Sequence, residues 1–322
     1  MALRGARFAI AAQTAVEAVR RPVYLLVLLS VVAGSALLPF LLNYTLGDAA
    51  SILRDSTLAL ALTGGLVLAA LSAADAVGGE FRRGSAAAAL AKPVSRNAFF
   101  VSKLFGLAAA LATYLFCALC ASVLAVRAGS LDGRIDRTAE LPLLLAIVAA
   151  LLLAAARNRR TGRDFSSSLL AALLFALPCA VLAAALTPTP FDALRFPENL
   201  QLAVFAQGFL LFCLLVMFST FAAALAIRLS PTPVLLLTAA LFSLGLLSDS
   251  VLGPRLPAAP ALVLFALVPD VQAFWLADAL RAAIPLPPAY LLLSALYALA
   301  WSAAVTLPAL LLLRHREISP NP

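Results

Sequence analysis

The chain has 322 residues, 64% of them hydrophobic and 12% charged, with a mean hydropathy of +1.04 and a formal net charge of +8. A soluble domain carries about twice that charged fraction, so the composition excludes a soluble globular fold and predicts an all-α polytopic membrane bundle. The positive balance does not imply nucleic-acid binding, because the basic residues concentrate in loops beside apolar runs, where orientation in a bilayer requires them.

Taken in order, residues 3–21 predict a helix ahead of the first span. Phe8, Ala12, Ala15 and Val19 fall on one of its faces, with Arg4, Arg7, Glu17 and Arg21 away from it. This segment, residues 1–22, reads either as an interfacial helix on the cytoplasmic leaflet or as a plain basic N-terminus. The first long apolar run begins at Val23 and continues for 20 residues, which suits a membrane span better than the h-region of a cleavable signal.

The transmembrane domain covers residues 23–313. Its expected spans are 23–42, 58–77, 104–126, 141–156, 168–186, 200–227, 233–252 and 290–313, with a polar loop at 43–57. The fourth is only 16 residues long. If it and the fifth did not cross, the count would be six, with both termini still cytoplasmic. Eight spans place 16 of the 23 Lys and Arg residues in cytoplasmic segments and 7 outside, while 5 acids lie inside and 10 outside. Six would put the basic turn 157–164 (RNRRTGRD) on the wrong face, and nine would turn the tail 314–322 outward, so eight satisfies the charge rule best.

Residues 253–288 hold seven prolines and an apolar piece, 261–268, too short to span alone. Asp270 is placed to cap a helix carrying Val271, Phe274, Trp275 and Leu280. This region reads as an interfacial or re-entrant element on the outer face.

The most polar long interval between apolar runs is 80–103, EFRRGSAAAALAKPVSRNAFFVSK, which holds both lysines of the chain, Lys92 and Lys103. Glu80 suits the start of a short helix, Ala86 to Leu90 favour helix, and Pro93 pushes Lys92 out of the helical region. Ser95 can cap the following helix. Lys103 is expected to snorkel at the foot of the third span.

The ordered set Glu80, Gly84, Ser85, Leu90, Pro93, Ser95, Arg96, Phe99 and Lys103 resembles the loop between the second and third spans of ABC transporter permeases of the type-2 exporter class. The resemblance covers about 24 residues and the overall plan of the chain. PDVQAFWLAD at 269–278, Tyr297, and the closing Arg314-His315-Arg316-Glu317 are similar to the ends of permeases in the same class. The alanines 86–89 stand where bulkier residues are common in that family. The resemblance implies that residues 78–98 form a cytoplasmic coupling loop seated on a separate P-loop ATPase subunit, which would hold ATP and magnesium. It further implies that a second copy of this chain, or a related permease, completes the path. The high Ala, Leu and Arg usage, with 21 Arg against 2 Lys, points by composition to a bacterial inner membrane, with membrane lipids around the chain and no nucleic acid. Glu80, Arg82, Arg83, Gly84, Pro93, Ser95, Arg96 and Lys103 are then the candidate coupling residues, with Gly84 allowing close approach.

No catalytic chemistry is legible. The chain has no P-loop, no HExxH and no GxSxG, and its single histidine, His315, lies in the tail. Cys117 and Cys120 form a CxxC on a membrane helix with no nearby His or carboxylate, and read as small apolar side chains. The polar candidates within or at the ends of spans are Asp75, Gln207 and Asp249. Thr63 and Ser72 could hydrogen-bond between helices. The chain is therefore expected to be no enzyme and to bind no cofactor itself. The leading expectation is the permease subunit of an ATP-driven exporter; the alternative is an ATPase-independent secondary carrier or a structural integral membrane protein.

Overall fold

A computed structural model of the chain describes residues 2–42, 48–79, 95–129, 134–190, 193–247, 268–282 and 286–314. These residues form an all-α bundle with no strand among them. In order come α1 (Ala2–Arg20), α2 (Pro22–Leu41), α3 (Ala49–Ala73) continuing into a π-helical turn at Ala74–Gly78, and α4 (Arg96–Ala128). Then follow α5 (Arg137–Thr161), α6 (Phe165–Leu186), α7 (Ala203–Ala226) and α8 (Pro231–Leu247). A 3₁₀ turn at Gln272–Phe274, the short α9 (Ala277–Arg281) and α10 (Pro288–Arg314) close the chain.

Seven helices are long and apolar enough to cross a membrane: α2, α3 with its π turn, α4, α5, α6, α7 and α10. The eighth apolar helix, α8, has 17 residues, and the expected span 233–252 runs on past it into residues outside those described. The expected fourth span, short in sequence, lengthens to 25 residues because Arg137 to Glu140 and Arg157 to Thr161 join the helix at its two ends. Asp136 caps it through Thr138 N at 2.8 Å, and Gly162 ends it in the left-handed region. The expected polar loop 43–57 is corrected from Ala49 onward, where α3 has already begun. One of its charges is taken inside: Arg54 is buried and donates to Leu280 O at 3.0 Å and to Ser51 Oγ at 3.0 Å, while Asp48 stays exposed.

α4 is the hub. With 33 residues it is about 50 Å long, and 78% of its apolar window is buried, against 17% for α10. It packs against α1, α2, α3, α5, α6 and α7. The alanines and leucines of its central stretch, with Cys117, Cys120 and Tyr114, fill the core, and Tyr114 donates to Ala61 O on α3 at 2.8 Å. Thr57 of α3 meets Ser122 of α4 at 2.5 Å. The outward faces of α5 and α10 carry exposed leucines such as Leu145, Leu152, Leu292 and Leu299, the surface a lipid solvent requires.

Candidate functional site

The described residues flanking the interval 80–94 converge at one end of the bundle. Glu80, Arg82, Arg83, Gly84 and Pro93 lie outside the described residues, as does Asp249. Ser95, Arg96, Lys103 and Asp75 are described, and each has a defined environment.

On the entry side, α3 widens into the π turn Ala74–Gly78 just before the interval begins. A π turn replaces i→i+4 bonds by i→i+5 bonds and loosens the local carbonyl ladder. The carbonyl of Ala76, within that turn, accepts from Lys103 Nζ at 2.6 Å. Lys103 is 2% exposed, and its ammonium also lies over the Phe99 ring, 5.1 Å from the centroid. The expected snorkelling is therefore corrected: α4 extends a turn and more beyond Lys103 to Arg96, so the side chain is surrounded by helices and turns inward to a backbone acceptor.

Asp75, in the same π turn, is ion-paired with Arg21, the residue between α1 and α2. Both side chains are 32% exposed. Asp75 thus closes the junction of three elements, where sequence placed an interfacial carboxylate.

On the exit side, Ser95 Oγ accepts from Ala98 N at 3.2 Å, the expected N-cap. Arg96 reaches across to the far end of the chain, donating from Nη1 to Leu313 O at 3.3 Å. That carbonyl is one of the last of α10, where a cation is favoured by the helix dipole. The two flanks of 80–94 are therefore tied to α1, α2, α4 and α10.

α1 joins the same end. It packs along the first half of α4, and a Cβ at Gly106 would collide with the carbonyl of Ala11 and with Thr14. Its buried residues are Thr14 and Ala18, while Phe8 is 76% exposed and Ala12 is exposed. The apolar face expected from sequence is thus rotated: close helix packing selects the small residues, and Phe8 is left pointing outward.

Gln207 belongs to the opposite end. It is 1% exposed on α7 and spends both halves of its amide on one backbone break: Nε2 donates to Phe274 O at 2.7 Å, and Oε1 accepts from Leu276 N at 3.2 Å. Asp270 caps the 3₁₀ turn through Ala273 N at 3.2 Å, as expected. The single helix expected to follow is corrected to a 3₁₀ turn, a break and α9, because Gln207 supplies at the break the bonds a continuous helix would have made. Tyr290 Oη donates to Ala273 O at 2.6 Å, Gln272 Nε2 donates to Leu246 O at 2.8 Å, and the Phe274 and Tyr297 rings lie 6.0 Å apart. The described part of the segment is thus folded into the bundle.

Three features at that end escaped sequence reasoning. Arg127, 4% exposed, pairs with Asp136 at 3.1 Å and also donates to Ala184 O, to Thr138 Oγ1 at 2.8 Å and to Thr187 O at 3.1 Å. Asn199 shares the Ala184 carbonyl and reaches Ala185 O at 3.0 Å. Glu140, 3% exposed, has neither carboxyl oxygen hydrogen-bonded. Their only sequence signal was position, at the polar ends of apolar runs. Thr63, by contrast, bonds to Ala59 O on its own helix and not to a neighbour.

Among the described residues no group of three or more His, Cys, Asp and Glu side chains could hold a metal ion. Cys117 and Cys120 are buried in the apolar core without a disulfide. Among the described residues of the site, Lys103 and Arg96 donate to backbone carbonyls and Asp75 pairs with the Arg21 side chain. No protein-family model matches this chain, and no curated protein matches it significantly.

Proposed function

We propose that this chain is the transmembrane permease subunit of an ATP-driven exporter, coupled through residues 78–98 to a separate cytoplasmic P-loop ATPase. The observation that carries the reading is the tethering of both flanks of 80–94: Lys103 to the π turn, Asp75 to Arg21, and Arg96 to the end of α10. A load applied to the interval between those tethers reaches α1, α3, α4 and α10 together, which is what conversion of ATPase closure into helix movement needs. The basic residues gathered in the segments at this end support its placement on the cytoplasmic side. In this reading the chain performs no catalysis; ATP and magnesium belong to the partner, and a second permease copy completes the path in a bacterial inner membrane.

The test is purification of the tagged chain in mild detergent. A soluble ATPase should accompany it and hydrolyse ATP, and Glu80→Ala with Arg96→Ala should abolish that association while membrane insertion stays intact. Purification of the chain alone, under conditions that preserve other membrane complexes, would sink the proposal.

One observation favours the alternative of an ion-coupled carrier: the buried, unbonded carboxyl of Glu140. Asp75 and Gln207 are engaged with Arg21 and with backbone, and give that reading less. A pH jump imposed on proteoliposomes separates the two. A carrier moves protons inward and loses this with Glu140→Gln; an exporter permease is silent in both forms.

A further inference from the structure

The turn between α5 and α6 carries more cationic charge than the fold uses. It lies at the same end of the bundle as Arg21 and Asp75 but on a different side, against the end of α1. Arg157, Arg159, Arg160 and Arg163 crowd into seven residues, and none is ion-paired among the described residues. The sole acid of the turn, Asp164, is paired with Arg20 of α1 at 3.0 Å. Gly162, at φ +64°, makes the reversal that brings Arg163 back beside Arg157; a residue with a Cβ would be strained there.

Between these groups is a cleft of about 450 Å³, lined by Arg20, Arg157, Arg163, Asp164, Ser167 and Ser168. Three guanidinium groups meet one carboxylate, so the cleft carries a net positive charge. Ser167 Oγ is shielded from solvent and has no hydrogen-bond partner. Asp164 precedes α6 but its side chain does not cap the helix, so the first-turn amides add donors to the same wall. Below the cleft the surface turns apolar at once. Leu153, one helical turn before Arg157, is 61% exposed, Leu152 is 65% exposed, and Phe175 on α6 is 78% exposed.

We propose that this cleft binds the phosphate of an anionic phospholipid, with its acyl chains lying along the exposed faces of α5 and α6. Arg157 and Arg163 bind the phosphate oxygens, Ser167 donates its hydroxyl proton, and Arg20 ties the headgroup to α1. Arginine suits this task because its planar fork offers paired donors to phosphate. The apolar faces beneath the cleft argue for a lipid over free phosphate, since they cover chains that a free ion does not have. The site does not depend on the exporter reading, because it uses none of the coupling residues.

The test is native mass spectrometry of the full chain in mild detergent, titrated with dioleoylphosphatidylglycerol or dioleoylphosphatidylcholine. The phosphatidylglycerol adduct should be preferred. The double variant R157Q/R163Q should weaken it about thirtyfold, the loss expected for two basic side chains at an anionic headgroup. R157K/R163K, which keeps the charges but not the paired donors, should bind between the wild type and R157Q/R163Q and guards against a folding defect. Equal binding of the two lipids, or an unchanged affinity in R157Q/R163Q, would overturn the proposal. Displacement of phosphatidylglycerol by equimolar inorganic phosphate would assign the cleft to the free ion and overturn the lipid assignment.

Discussion

The two ends of the bundle hold their buried polar groups differently. At the end away from the interval 80–94, the buried cations are enclosed, while Arg134, Arg137, Arg195 and Arg281 stay exposed. Arg127 is enclosed by Asp136 and the carbonyls of Ala184 and Thr187, Arg54 by Leu280 O and Ser51, and the backbone break at Phe274–Leu276 by Gln207. At the other end the charges are exposed in the α5–α6 turn or tie one element to another, Arg96 to the Leu313 carbonyl, Lys103 to the Ala76 carbonyl and Arg21 to Asp75. The first arrangement resists movement, because any shift strands several buried polar groups at once. The second permits it more readily, because, the buried Lys103 apart, its partly exposed Arg21–Asp75 pair and its exposed arginines exchange with water at small cost. The proposed exporter, driven from one end, needs such a polarity of stiffness.

The comparison breaks most decisively at Arg127. Arg127→Leu leaves Asp136 buried and unpaired and should cost about 3–5 kcal/mol, seen as a large fall in melting temperature of the detergent-solubilised protein. Adding Asp136→Leu should recover part of that loss, since the stranded charge is then removed. Next is Gln207→Leu, which leaves Phe274 O and Leu276 N without partners. We expect about 2 kcal/mol of destabilisation and faster amide exchange across 270–276, with little change in α1.

At the yielding end the expected effects on stability shrink while those on coupling grow. Lys103→Met removes the donor to Ala76 O and should cost about 1–2 kcal/mol, while lowering ATPase stimulation in the proposed exporter complex far more than stability. Gly106→Leu should pry α1 from α4 and raise proteolysis within residues 2–20, leaving the core intact. The smallest effect belongs to Arg281→Gln, at an exposed pair back at the end away from 80–94. Arg281 pairs with Asp48 at 3.6 Å and with Asp55 at 3.3 Å while half exposed, so less than about 0.5 kcal/mol is expected. A large effect there, or a negligible one at Arg127, would erase the contrast between buried and exposed charges.

Much of this was legible along the chain. Apolar runs of 20 residues announce spans because a bilayer of about 30 Å demands that length. The Ser95 cap and the Asp270 cap were readable because a cap needs only local sequence. What was not readable depended on neighbours far away in sequence. Lys103 is expected at a surface only if its helix ends there; that α4 runs on to Arg96 beside α1 decides otherwise. The face of α1 reads as apolar at Phe8, yet packing against Gly106 chose Thr14 and Ala18, because helices approach closely over small residues. The Gln207 clasp joins residues 67 and 69 positions apart, and nothing in either segment announces the other.

By itself, then, the sequence determined the solvent of this protein, the order of its described apolar helices, the caps at Ser95 and Asp270 and the concentration of basic residues beside the spans. These follow from hydrophobic length, local hydrogen bonding and charge, all properties of contiguous residues. Only the tertiary structure decided which charges are buried and which stay open, that the π turn offers a carbonyl to Lys103, and that α10 is latched to the start of α4. Those outcomes rest on which helix faces meet. The energy of a polar group in a bundle is set by the partner it finds there, and that partner is seldom near it in the chain.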